Sequence, residues 1–170
     1  LGVDRERVKV VLNGLDVAGF DPRPPPAVPT LGFFARQCPD KGLDVLVSAY
    51  LELRKRPGFG ALRLAVGGAV TGRDEPVVSE QQARVRAADG QATWLPNASR
   101  AGKISLIRSM SVFSVPATYG ESFGLYVLEA SASGVPVVQP DHGGFPELLR
   151  ATGGGVRRQP DAARHGEPAS

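Results

Sequence analysis

The feature that most constrains this chain is a regular alternation of short apolar runs with longer stretches whose apolar residues recur at helical spacing. Runs at residues 8–12 (VKVVL), 31–35 (LGFFA), 62–66 (LRLAV), 92–95 (ATWL), 111–115 (SVFSV) and 135–138 (VPVV) have the length and residue types of strands. Helices are predicted over 41–56, 77–88, 100–109, 123–133 and 145–150. The first is the plainest. Leu43, Leu46, Val47, Tyr50 and Leu53 fall on one face, and Asp40 stands where an N-cap is expected. Arg54, Lys55 and Arg56 suit the negative end of the helix dipole, and Pro57-Gly58 stops the helix. Residues 20–29 carry five prolines and can be neither helix nor central strand, so they read as an extended connector. Strand and helix alternating through short connections build a parallel sheet covered on both faces, because parallel neighbours need a crossover and a helix supplies it.

The expected fold is therefore α/β: a Rossmann-like, doubly wound parallel sheet with helices on both faces. The expected domain plan is a lead-in segment and proline-rich connector over 1–29, one ligand-binding domain over 30–156, and a loosely ordered, apolar-poor tail over 157–170. A length of 170 residues is enough for one sizeable core. The 21 glycines and 15 prolines fall mostly between apolar runs, where they mark turns rather than disorder. The net charge of +3 is dispersed and has no interleaved aromatic platform, which argues against a nucleic-acid partner. A single cysteine, Cys38, excludes an internal disulfide and offers no metal-ligand spacing. No apolar run approaches the ~18 residues needed to cross a bilayer, and the N-terminus does not read as a signal peptide. A cytoplasmic location is expected, with peripheral attachment to a membrane face left open.

In a doubly wound sheet, ligands bind at the carboxyl ends of the strands, and the densest motif lies there. It runs from Tyr119 to Gly134 (YGESFGLYVLEASASG). A helix beginning near Phe123 presents N–H groups without internal partners and favours an anion such as phosphate. Gly124 leaves room for a ligand to approach the backbone. Glu121 and Glu129 are eight residues apart, an E-x7-E spacing. Glu129, about two turns into the helix, is suited to accept hydrogen bonds from two ribose hydroxyls. Glu121, in the loop, stands nearer to a group beyond the phosphates. Taken in isolation, two such glutamates are more often solvated side chains. Arg36 and Lys41 flank a loop between a strand and a helix, and Gly67-Gly68 reads equally as a plain turn. His142, Trp94 and Cys38 read as packing or solvated groups. Ser114, Ser122 and Ser131 lack the G-x-S-x-G setting of a hydrolase nucleophile.

The full string carries more than its spacing. GESFGLYVLEASASGVPVV, followed by GGFPELL with Gly143, Gly144, Pro146 and Glu147, resembles the signature of the family-four retaining glycosyltransferases. Upstream, VVLNGLDVAGFDP resembles that family's lead into its second domain, although Leu12 replaces the usual proline. LGFFARQCPDKGLDVLVSAY resembles its basic segment, with Ala35 in place of the usual glycine, a change expected to weaken donor affinity. The resemblance covers about 8–156 and implies one half of a two-domain GT-B fold. It implies that Glu121 contacts donor-sugar hydroxyls and Glu129 the ribose. It implies that Phe123, Gly124 and Leu125, in a donor loop with Gly120 and Ser122, offer backbone N–H groups to the diphosphate and sugar. It implies that Arg36 and Lys41 neutralise the leaving group. The substrate implied is a nucleoside-diphosphate sugar, with UDP-sugar the first expectation, and no metal or other cofactor is expected. The acceptor site is expected on an N-terminal domain not contained in these residues, so the chain alone is expected to be inactive.

Two other readings stay open. A non-catalytic nucleotide-sugar binding module would carry the same pocket. A sugar-nucleotide epimerase would share the general fold but should show further acid–base residues. A dinucleotide oxidoreductase is disfavoured, because no G-x-G-x-x-G follows the first strand.

Overall fold

The computed structural model describes residues 5–9, 11 and 13–158. Among the described residues six strands alternate with five α-helices: β1 (Thr30–Phe34), α1 (Leu43–Arg54), β2 (Arg63–Gly68), α2 (Glu75–Ala87), β3 (Gln91–Pro96), α3 (Arg100–Arg108), β4 (Val112–Phe113), α4 (Leu125–Ala132), β5 (Val137–Pro140), α5 (Phe145–Thr152) and β6 (Gly155–Arg158). The strands form one sheet, all pairs parallel, in the order β3-β2-β1-β4-β5-β6. Right-handed crossovers put α1 and α2 on one face and α3, α4 and α5 on the other. Consistent with this, α1 packs on α2 and α3 on α4. The winding reverses between β1 and β4, which opens a crevice at their carboxyl ends.

The core follows from the apolar pattern. Leu43, Leu46, Val47 and Tyr50 of α1 are all buried, each worth up to about 1.5–3 kcal/mol of apolar transfer. The Tyr50 hydroxyl donates to the carbonyls of Leu62 and Gln91 at 3.2 and 3.1 Å, so the phenol is buried without an orphaned polar atom. In α5, Phe145, Leu148 and Leu149 bury one face. Trp94 is half-buried against the core, as a packing role predicts. Phe20, from the proline-rich connector, is 1% exposed and joins the core. Arg108 pairs with Asp21 at 2.9 Å and Arg100 with Asp16 at 3.0 Å, holding the connector to α3.

Several expectations need correction. Residues 8, 9, 11 and 13 have no regular structure, and Val8 and Val11 are 56% and 87% exposed, so the strand predicted over 8–12 does not form among the described residues. Val10 and Leu12 lie outside them. An apolar run becomes a parallel strand only with a neighbour to pair with, and the described residues of this one pair with none. Asp40 is not the cap of α1. It lies in a 3-10 turn, Pro39–Lys41, and the helix starts after Gly42 without a side-chain cap. Gly67 and Gly68 are the last residues of β2, not a turn after it. α4 begins at Leu125, so Phe123 and Gly124 precede the helix. The strand expected over 111–115 contracts to Val112–Phe113, although Ser111 and Ser114 still donate to Thr30 and Gly32 of β1 at 2.8 and 2.9 Å. Arg157 and Arg158 belong to β6, paired with β5, so the sheet runs two residues into the segment read as tail. The rest of that segment lies outside the described residues.

Candidate functional site

Two loops meet at the reversal of the winding. One follows β1 and carries Arg36 and Lys41; the other follows β4 and carries residues 116–124. Their main chains are tied directly, since the Thr118 N–H donates to the Asp40 carbonyl at 3.0 Å. Gly42, at φ 72°, makes the contact possible, because a Cβ there would stand 2.0 Å from the Pro116 carbonyl oxygen. The second loop is braced from β5–α5. The Gly144 N–H donates to the Glu121 carbonyl at 2.6 Å, and a Cβ on Gly143 would lie 2.7 Å from the Glu121 backbone. The Gly-Gly pair thus fixes the stretch that presents Glu121.

The side chains fall into three clusters. In the first, Lys41 donates to the Glu121 carboxylate and to the Tyr119 hydroxyl, and the Tyr126 hydroxyl donates to Glu121 Oε2 at 2.9 Å. Glu121 is only 9% exposed. Burial works against its charge, but the hydrogen bonds from Lys41 and Tyr126 outweigh it and lower its pKa. Burial also opposes the charge on Lys41, and its bonds to Glu121 and Tyr119 raise its pKa regardless. Burial, then the bond to Glu121, pushes the Tyr126 hydroxyl far up, so it remains a donor.

The second cluster centres on Arg36, which turns toward the start of α2 and grips Asp74. Among the described residues, Arg36 and Lys41 share no hydrogen-bond partner. The third joins α3 to α4. Glu129, buried, accepts a hydrogen bond at Oε1 from Lys103 at 2.5 Å. Lys103, Asp74, Tyr119 and Tyr126 were not singled out from sequence. Tyr126 sits inside the recognised string and Tyr119 directly before it, and an acid just before Glu-Pro at a helix start was the available signal for Asp74. Lys103 offered none.

Gly120 stands directly before Glu121, and Ser122, Phe123 and Gly124 lead from it into α4. Gly124 is left-handed (φ 84°) at the N-cap; the Val127 N–H donates back to its carbonyl at 2.9 Å, and the N–H groups of Leu125 and Tyr126 are the first-turn donors without a partner inside the helix. Ala35 is 7% exposed and part of the core. His142 leans on Phe145, ring centres 6.4 Å apart, and Cys38 is buried. Among the described residues no His, Cys, Asp or Glu cluster is arranged to hold a metal ion, and no helix is long and apolar enough to cross a membrane.

Residues 20–164 match the family model described as glycosyl transferases group 1. A D-inositol 3-phosphate glycosyltransferase of Nocardia farcinica is 36% identical over 166 residues, which cover 89% of this chain and 37% of the relative. A lipopolysaccharide core biosynthesis mannosyltransferase, LpsB, of Rhizobium meliloti is 34% identical, covering 85% of this chain and 43% of the relative. The chain therefore spans well under half the length of these relatives. Among solved structures, the C-terminal domain of a glycosyl transferase group 1 family protein (LpcC) from Francisella tularensis matches with a TM-score of 0.71 at 23% identity, over 89% of this chain and 83% of that one. Anabaena Alr3699/HepE, in complex with UDP-glucose, matches with a TM-score of 0.74 at 23% identity, over 94% of this chain and 45% of that one.

Proposed function

This chain belongs to the glycosyl transferases group 1 family, and we propose that it binds a nucleoside-diphosphate sugar at the carboxyl ends of β1 and β4 and supplies the donor side of a sugar transfer. The transfer is to an acceptor hydroxyl with the anomeric configuration kept. The observation that carries this reading is the contact between Lys41, from the loop after β1, and Glu121, from the loop after β4. It joins residues drawn from separate segments at the one crevice where this sheet topology receives ligands.

In this reading Glu129 takes the ribose and Glu121 the hydroxyls of the donor sugar. The N–H groups of Phe123, Gly124 and Leu125, in the loop with Gly120 and Ser122, face the diphosphate and sugar. Transfer breaks the bond between the anomeric carbon and the diphosphate oxygen, leaving negative charge on that oxygen. Fixed cations and N–H dipoles stabilise charge of this kind as it develops. Lys41 carries three N–H donors, two of them engaged by Glu121 and Tyr119, so one remains for a phosphate. Arg36 engages Asp74 through Nε and Nη2, leaving Nη1 for the same purpose, and it is half exposed. The acceptor belongs to a partner domain N-terminal to these residues. Uridine is the base to try first, because Anabaena Alr3699/HepE was solved with UDP and with UDP-glucose.

The test is calorimetric titration of the chain with UDP, GDP and ADP, alongside a Glu129→Ala variant. One nucleotide binds, and the variant weakens it by more than ~1 kcal/mol, about fivefold. Absence of binding by all three, with the chain folded, overturns the assignment.

A further inference from the structure

Lys103 has no role in the reading above, yet three contacts converge on it. Its Nζ donates to Glu129 Oε1 and stands 5.7 Å from the ring centre of Phe34 and 5.8 Å from that of Phe20. Phe34 is the last residue of β1, so the ammonium sits beside the crevice, between aromatic faces and a carboxylate. Its side chain is 24% exposed and that of Glu129 is 8%. A free lysine samples many rotamers, and holding one in a single place costs conformational entropy. Here the ion pair and the two rings offset that cost together. The consequence falls on Glu129. With Oε1 fixed from α3, the carboxylate has one orientation, and Oε2 has no hydrogen-bond partner among the described residues.

We propose that Lys103 is a positioning residue for nucleotide recognition: it locks Glu129 in the orientation that meets the 2′- and 3′-hydroxyls of the ribose. The proposal rests on the reading that Glu129 takes the ribose. It assigns to α3 a share of a site otherwise built from the loops after β1 and β4 and from α4.

The test compares UDP, GDP and ADP, each with its 2′,3′-dideoxy form, by titration of the wild-type chain and of Lys103→Met, Lys103→Gln and Lys103→Arg. Circular dichroism checks that each variant is folded. The wild-type chain prefers the hydroxylated form of its nucleotide by about tenfold or more, the scale of a charged hydrogen bond. Lys103→Met reduces that preference to under about threefold by weakening the hydroxylated form while leaving the dideoxy form unchanged. Lys103→Arg, which keeps a cation at the same place, retains most of it. If Lys103→Met does not fold, Lys103→Gln serves the same comparison. A variant that keeps the full preference, or that weakens both forms equally, overturns the proposal while the ribose reading stands. A wild-type chain that does not distinguish the two forms, or binds none of the nucleotides, overturns the ribose reading and this proposal with it.

Discussion

Asp74 holds Arg36 through two hydrogen bonds, from Nη2 to Oδ1 at 3.0 Å and from Nε to Oδ2 at 3.1 Å, and also accepts from the Thr71 N–H and hydroxyl at 2.9 and 2.7 Å. The bond from Arg36, followed by those from Thr71, lowers the pKa of Asp74 to about 2. An aspartate in the unfolded chain titrates near ~3.9. Its folded pKa is therefore depressed, so the stability it contributes is present above about pH 4 and is lost as the pH falls toward about 2. Asp74→Asn is expected to be less stable than the wild-type chain at pH 7, with the gap narrowing between about pH 4 and pH 2. Urea unfolding of both proteins across that range measures it. A gap that stays constant to pH 2 would show that the pair does not contribute.

Lys41→Met should act on binding more than on folding. It removes the cation proposed to face the diphosphate and takes from Glu121 its charged donor. Nucleotide affinity is expected to fall by at least about tenfold, corresponding to about 1.5–3 kcal/mol for a charged hydrogen bond. The Glu121 pKa should rise as its stabilising partner is lost, which carboxyl-carbon NMR titration reads directly. Unchanged affinity would remove Lys41 from the site.

Gly144→Ala tests the brace behind Glu121. The backbone at Gly144 is ordinary (φ −78°), but an added Cβ would lie 2.6 Å from the Ser122 carbonyl oxygen. Main chain cannot yield as a flexible side-chain tip does, so the loop must shift, at a cost of about 1–3 kcal/mol typical of overpacking. The expected result is weaker nucleotide binding in a chain that still folds, read by titration and thermal melting. Wild-type affinity in the variant would mean that the loop position does not matter to the ligand.

Ala35→Gly addresses an expectation drawn from sequence. Because the Ala35 methyl is packed in the core, removing it should not improve nucleotide affinity. It should instead lower stability by about 1 kcal/mol, from lost burial and added backbone freedom. A clear gain in affinity would restore the view that this methyl crowds the phosphate.

The fold was readable because strands buried on both faces appear as apolar runs and the helices between them keep a 3.6-residue period. β6 escaped notice for the same reason in reverse. Its residues, GVRR, are held by main-chain pairing to β5, and only Val156 is apolar with a substantial side chain. The run at 8–12 misled because composition alone cannot say whether a strand has a neighbour. Within the site, the acids and glycines were visible as one continuous string. Lys103 and Asp74 were not, since their partners lie 26 and 38 positions away and a tertiary contact leaves no local period.

The bond from the Thr118 N–H to the Asp40 carbonyl uses main-chain atoms alone. With Gly42 clearing the way, that main-chain bond sets the gap between the two loops like the span of a hinge plate. Exchanging the side chain at position 118 for anything but proline keeps the main-chain bond and gives up only the longer one from the Thr118 hydroxyl at 3.4 Å, so the chemistry displayed across the crevice can be rewritten without refolding its frame.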